Sequence, residues 1–252
     1  MIVDIEKKLK SHSSHLIIEE RELRDIVVGV PHHAPAGVKF LPCPEHRESD
    51  ENAGHLGRYI AAGLNCCSII ACNYKVDSNK SLRSGYSKQI IKWNPSILVE
   101  IHGHGGTKAK SDIEISSGKS KNNKYSVRLE KLLKHKCSKN EKLRNLSICG
   151  NLSKIYFKAT NSLTIIDDRW ISFHIELPSQ LRKPENAKKG NPPSLGFEFC
   201  DYLIDSLKEL CKEYELLTKI VSFEELLMSQ VVQQEALTRL LMEKGIFRSF
   251  SF

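Results

Sequence analysis

The chain has 252 residues, of which 40% are hydrophobic and 27% charged, so it has the composition of a globular protein and not of a disordered one. No apolar run approaches the roughly 20 residues that a membrane span requires, which argues against a membrane protein. The net charge of +8 is concentrated in residues 108–144 and 181–190, where aromatic residues do not alternate with the cations as stacking platforms would, so nucleic acid is not the expected partner.

The first fifteen residues contain neither a continuous apolar segment nor a small-residue cleavage site, which points to a cytoplasmic location. The eight cysteines include no CxxC pair, and we expect reduced, mostly buried thiols. Short β-branched runs then alternate with helical periodicity. Residues 25–30 (DIVVGV), 68–72 (SIIAC) and 96–101 (SILVEI) read as strands buried on both faces. Residues 52–64, 87–93 and 125–135 read as helices between or after them. Further strands are expected at 112–116, 163–167 and 171–177, giving an α/β domain with a mostly parallel sheet and helices on each side. Residues 181–194 (LRKPENAKKGNPPS) form a loop next to a candidate catalytic strand.

From Leu195 onward, Phe199, Leu203, Leu207, Leu210 and Tyr214 recur at helical spacing. A second amphipathic pattern carries Leu226, Leu227, Val231, Leu237, Leu240 and Leu241. The expected organisation is an α/β domain over 1–216 and a C-terminal helical extension over 217–252, the latter packing on its own domain, forming a homo-oligomer or docking a partner protein.

Ligands of open α/β sheets bind beyond the carboxyl ends of the strands, and three such places carry unusual polar residues. One strand runs into Pro31, His32 and His33, another ends in Glu100, His102 and His104, and an acidic pair, Asp50 and Glu51, opens a helix. Zinc favours imidazole nitrogen and carboxylate oxygen, and a catalytic site commonly keeps three protein ligands and one open position. Two histidines and one carboxylate meet that requirement. His102 is the preferred ligand of its strand, and His104 then becomes a substrate-contacting candidate.

These segments resemble the N-formylglutamate amidohydrolase family, which belongs with the zinc carboxypeptidase-like and succinylglutamate desuccinylase-like hydrolases. VPHHAPAG resembles the family's Pro-His-Ser-Gly and carries the first metal ligand onto His32, with His33, in the place of serine, as a rival. RESDENAG resembles the position of the acidic ligand, with Glu51 preferred and Asp50 the alternative, and EIHGHG carries the second histidine onto His102. Related members grip a substrate carboxylate through Asp-Leu-Asn-Arg, for which this chain offers Asp77, Asn79 and Lys80. FHIELPSQLRKPE is similar to the strand bearing the general base, which falls on Glu176, with Glu198 as a rival. The resemblance implies a three-layer α/β/α domain with a mixed sheet of the phosphorylase/hydrolase type. It also implies Zn²⁺ or another divalent transition metal and cleavage of a small anionic amide, such as an N-acyl amino acid. Arg58, Asn79, Lys80 and Arg182 are candidates for holding that anion. A carboxypeptidase or deacylase acting on a larger peptide, and a non-catalytic metal-binding module, are the alternatives.

Overall fold

The computed structural model describes residues 5–184 and 190–214 and the single positions Gln234, Glu235, Thr238 and Leu240. The chain divides into two compact units, Met1–Leu216 and Leu217–Phe252. The helical extension and the association attributed to it lie outside the described residues, as does the centre of the loop after Pro184.

The strands are β1 (His15–Glu19), β2 (Leu23–Ala34), β3 (Asp50–Glu51), β4 (Cys66–Cys72), β5 (Ile97–His104), β6 (Ile113–Ser116), β7 (Ile148–Cys149) and β8 (Ile171–Pro178). They form one sheet in the order β1-β4-β2-β5-β8-β6-β7, with the short β3 paired to β2. Its centre, β4-β2-β5-β8, is parallel. At the edges β1 lies antiparallel to β4 and β6 antiparallel to β8. The central runs are buried along nearly their whole length, as parallel strands covered on both faces must be.

Besides the short α1 (Ile5–Leu9) and α5 (Ser179–Arg182), helices α2 (Ala53–Gly63), α4 (Asn123–Cys137) and α6 (Ser194–Glu213) pack together, α6 touching both others. On the opposite face α3 (Gly85–Trp93) places Tyr86, Ile90 and Trp93 against Val27, Ile69 and Leu98. The result is a mixed, mostly parallel α/β fold with helices on both sides. Helix α2 approaches β2 closely because Gly57 has no side chain: a methyl group there would lie 2.3 Å from Val30 Cγ2.

Two differences from the sequence reading have physical causes. Residues 163–167 form turns, not a strand: the amides of Leu163 and Thr164 donate to the Asn79 carbonyl, and Thr164 Oγ1 donates to Glu100. Strand β1 was not expected, because an edge strand with a mixed burial pattern lacks the continuous apolar signal. Among the described residues no helix is long and apolar enough to cross a membrane.

Because Gly57 meets Val30 directly, Gly57→Leu overpacks the contact between α2 and β2. Stability falls by about 1–3 kcal/mol, read as a lower urea midpoint; an unchanged midpoint would mean that α2 slides freely on the sheet.

Candidate metal centre

Strand β2 is irregular between Val30 and His33 in its pairing with β4. Val28, Val30 and His33 all face α2, whereas Gly29 looks toward Tyr86 and Glu100. Strict alternation would put His33 with Gly29. The irregularity moves the parity by one, so His32 joins the face that holds the buried polar residues.

There His32, Asp50 and His102 converge, with one ligand atom from each within 4.8 Å of the others. His102 Nδ1 lies 3.2 Å and His32 Nδ1 3.7 Å from Asp50 Oδ2. All three residues are buried, and neither His32 Nδ1 nor Asp50 Oδ2 has a hydrogen-bond partner. Orphaned lone pairs of this kind are costly in a protein interior, and two nitrogens with one carboxylate oxygen are a donor set suited to a divalent transition metal.

The far side of each imidazole is also supplied. His32 Nε2 is 3.0 Å from Asp77 Oδ1, and His102 Nε2 is 3.4 Å from Glu100 Oε2. A carboxylate behind a ligating histidine fixes the tautomer and leaves Nδ1 as the lone-pair donor. Lys80 Nζ supports Asp77 at 2.9 Å, and Glu100 accepts from Asn79 Nδ2, Tyr86 Oη and Thr164 Oγ1. Three buried carboxylates therefore surround two imidazoles, a surplus of negative charge that favours a cation between them. Burial pulls the His102 pKa down, but the contacts with Asp50 and Glu100 outweigh it and push it up to about 10. Asp50, which burial alone would raise, is held far below the carboxylate range by His102 and His32.

Strand β8 lies beside β5 with Glu176 opposite His102 and His174 opposite Glu100. Glu176 is buried with Oε2 unpartnered. Burial raises its pKa to about 7, a rise opposed by the neighbouring His102. His174 and His46 were not singled out by the sequence reading. The His174 ring lies 4.1 Å from that of His102, its Nδ1 also unpartnered, and His46 stacks on His32 at 3.7 Å. Strand alternation from Glu176 would have found His174. His46 sits in an irregular loop and leaves no periodic signal.

The other expected site residues are placed differently. Glu51 points away from the trio, its carboxylate meeting the Gly37 amide and Lys183, so Asp50 is the carboxylate beside the histidines; neighbouring strand residues face opposite ways. His33 accepts from the Gly54 amide through Nδ1 and donates to the Leu9 carbonyl through Nε2. His104 donates from Nε2 to the Asp112 carbonyl and accepts the Gly106 amide. Arg58 is paired with Glu6 and Glu19. Arg182 is buried and donates to the carbonyls of Leu177, Glu51 and His104. Asn79 and Lys80 serve the carboxylates behind the imidazoles. Glu198 accepts from Asn140 on the α4–α6 side.

Burial holds His33 down to about 3, from an ordinary 6.5. The sign follows directly: the unfolded imidazole binds protons first, so His33 contributes stability fully above about pH 6.5 and loses it as pH falls toward 3. His33→Asn should flatten the decline of the denaturation midpoint across that window. An unchanged slope would remove His33 from acid denaturation.

No family model matches the sequence, and no curated protein matches it. Among solved structures, the chain superposes on a bacteriophage poly-gamma-glutamate hydrolase with a TM-score of 0.51 at 9% identity, covering 82% of this chain and 95% of that one. A gene product of Agrobacterium tumefaciens superposes with a TM-score of 0.51 at 11% identity over 81% of this chain and 97% of that one. An N-formylglutamate amidohydrolase from Ralstonia eutropha gives a TM-score of 0.47 at 10% identity, over 79% and 97% of the two chains. The chain thus shares a mixed α/β fold with the phage hydrolase and the Agrobacterium gene product along nearly their whole lengths.

Proposed function

We propose that this protein is a metal-dependent hydrolase that cleaves an amide bond in a carboxylate-bearing substrate, with His32, Asp50 and His102 as metal ligands and Glu176 as general base. The observation that carries the reading is the convergence of His32, Asp50 and His102, with His32 Nδ1 and Asp50 Oδ2 unpartnered, while Glu176, its Oε2 also unpartnered, adjoins His102 from the neighbouring strand. Zn²⁺, or a related divalent ion, would supply Lewis acidity toward the scissile carbonyl and the attacking water.

The chain's own groups do the rest. Asp77 and Glu100 hold the two imidazoles in the tautomer that leaves Nδ1 free. Glu176 Oε2 takes the proton of the attacking water, and the protonated carboxyl then gives it to the departing nitrogen. A carboxyl near pKa 7 is suited to both halves of that transfer, since it is neither too weak a base nor too weak an acid at neutral pH. The eight cysteines are free thiols, which agrees with the reducing cytoplasm as the working compartment.

Glu176→Gln removes the base while preserving shape. It should retain the metal and lose about 10²–10⁴-fold in turnover of an N-acyl amino acid; unimpaired turnover would refute the assignment. The choice of carboxylate has its own test. Asp50→Asn should bind metal much more weakly in chelator competition while Glu51→Gln binds it normally, and Asp77→Asn should weaken binding by about 10–100-fold. Metal loss in Glu51→Gln with retention in Asp50→Asn would reverse the ligand assignment.

A further inference from the structure

A buried carboxyl that takes and returns a proton has to be held in one orientation, and His174 is placed to hold Glu176. The two residues are two positions apart on β8, so their side chains leave the same face of the strand. His174 Nε2 is 3.5 Å from Glu176 Oε1, whereas Glu176 Oε2 is unpartnered. Among the described residues no other lysine, arginine or histidine nitrogen pairs with this carboxyl. Its neighbours are engaged elsewhere. Glu114, opposite Glu176 on β6, accepts the amides of Lys110, Tyr156 and Phe157, and Arg182 donates to three backbone carbonyls.

The His174 ring is itself fixed. It lies 4.1 Å from the His102 ring and stands in register between Glu100 of β5 and Ser116 of β6. Neither of those competes for it: Glu100 accepts from Asn79, Tyr86 and Thr164, while Ser116 Oγ donates to the Lys158 carbonyl and accepts the Gly118 amide. His174 Nδ1 is buried without a partner. A buried N–H lacking an acceptor is rarer and more costly than an unfilled lone pair. The hydrogen therefore belongs on Nε2, which faces a carboxylate oxygen, and the lone pair on Nδ1. At 3.5 Å the contact is long, and hydrogen bonds of this kind tighten when a site fills.

We infer that His174 is a positioning residue, whose Nε2–H grips Glu176 by Oε1 and so aims Oε2 at the attacking water. The inference rests on the hydrolase reading and adds a member to its machinery. His174 acts through Glu176 and touches no substrate atom. Without the grip the carboxyl turns about its own side-chain bonds, and a misplacement of about 1 Å costs roughly 10²-fold in rate.

The experiment uses the full-length, zinc-loaded protein and begins with a readout that needs no turnover. Long-range proton–nitrogen NMR of the His174 ring should show hydrogen on Nε2; hydrogen on Nδ1, or a nitrogen shifted by direct coordination to zinc, would overturn the inference. Kinetics with N-acetylglutamate follow. His174→Leu should lower kcat by about 10–100-fold with little change in KM or in zinc affinity. His174→Gln, whose amide nitrogen reaches where Nε2 stood, should recover most of that loss, and His174→Asn, whose amide lies nearer the place of Nδ1, should not. In the Glu176→Gln background the change to leucine should cost nothing further, because a residue acting through another has no effect once that one is gone. Full turnover in His174→Leu, a loss that adds to that of Glu176→Gln, or zinc lost from all three His174 variants would overturn the positioning role. A wild type that holds zinc, carries the hydrogen on Nε2 and cleaves no N-acyl amino acid sinks the hydrolase reading and the role with it, whereas cleavage undiminished in His174→Leu sinks the role alone.

Discussion

Three buried carboxylates, Asp50, Asp77 and Glu100, are pressed against two imidazoles at the carboxyl edge of the sheet, and the site takes its character from that crowding. Buried charge is tolerated only with a partner of opposite sign. Glu100 is satisfied by Tyr86, Thr164 and Asn79, and Asp77 by Lys80 and His32, so both act as fixed supports. Asp50 alone keeps an oxygen without a hydrogen bond, facing the two Nδ1 atoms. The polarity of the cluster is therefore directed inward, toward the place where one cation would satisfy all three ligand atoms.

The backbone that carries this cluster is fastened from below by Arg182. Its guanidinium joins the carbonyls of Glu51 beside Asp50, His104 beyond His102, and Leu177 next to Glu176. A single buried side chain thus links the ends of β3, β5 and β8, and a methyl group on Gly103 would lie 1.9 Å from its Cζ, so the strand must pass without a side chain at that point. Asn52 adds to the same junction, donating its side-chain amide to the Arg182 carbonyl from the left-handed turn that opens α2. An arginine in this setting positions the site, with three of its five N–H donors committed to backbone carbonyls.

Much of the architecture was legible because the parallel strands are buried on both faces and their apolar runs are unbroken, as in SIIAC and SILVEI. His32, His102 and Glu176 were legible for a related reason: each sits at the end of such a run, where a polar residue is conspicuous. Choices between neighbours were harder. Glu51 was preferred to Asp50 because adjacent carboxylates at the start of a helix look alike until the direction of a two-residue strand is known. Asn79, Lys80 and Arg182 read as anion-binding groups because their chemistry permits it, while in the fold Asn79 and Arg182 meet partners 21 and 131 residues away and Lys80 meets Asp77 three residues back. His46 reaches His32 from an irregular loop, and no periodicity predicts that stack.

His32 and His33 show why burial alone does not make a ligand. Both are almost wholly enclosed, and in both desolvation by burial acts to lower the pKa. His33 meets a backbone carbonyl and a backbone amide, and the Leu9 carbonyl offsets desolvation only in part, so the ring stays neutral far into the acid range. His32 meets Asp50 and Asp77, which more than offset it and raise its pKa above the ordinary value. One irregular step in β2 decides which histidine receives which surroundings, since it turns one ring toward the start of α2 and the other toward the carboxylates. A change that restored regular pairing at that step would therefore exchange the two environments, leaving the amino-acid inventory of the site intact and its electrostatics reversed.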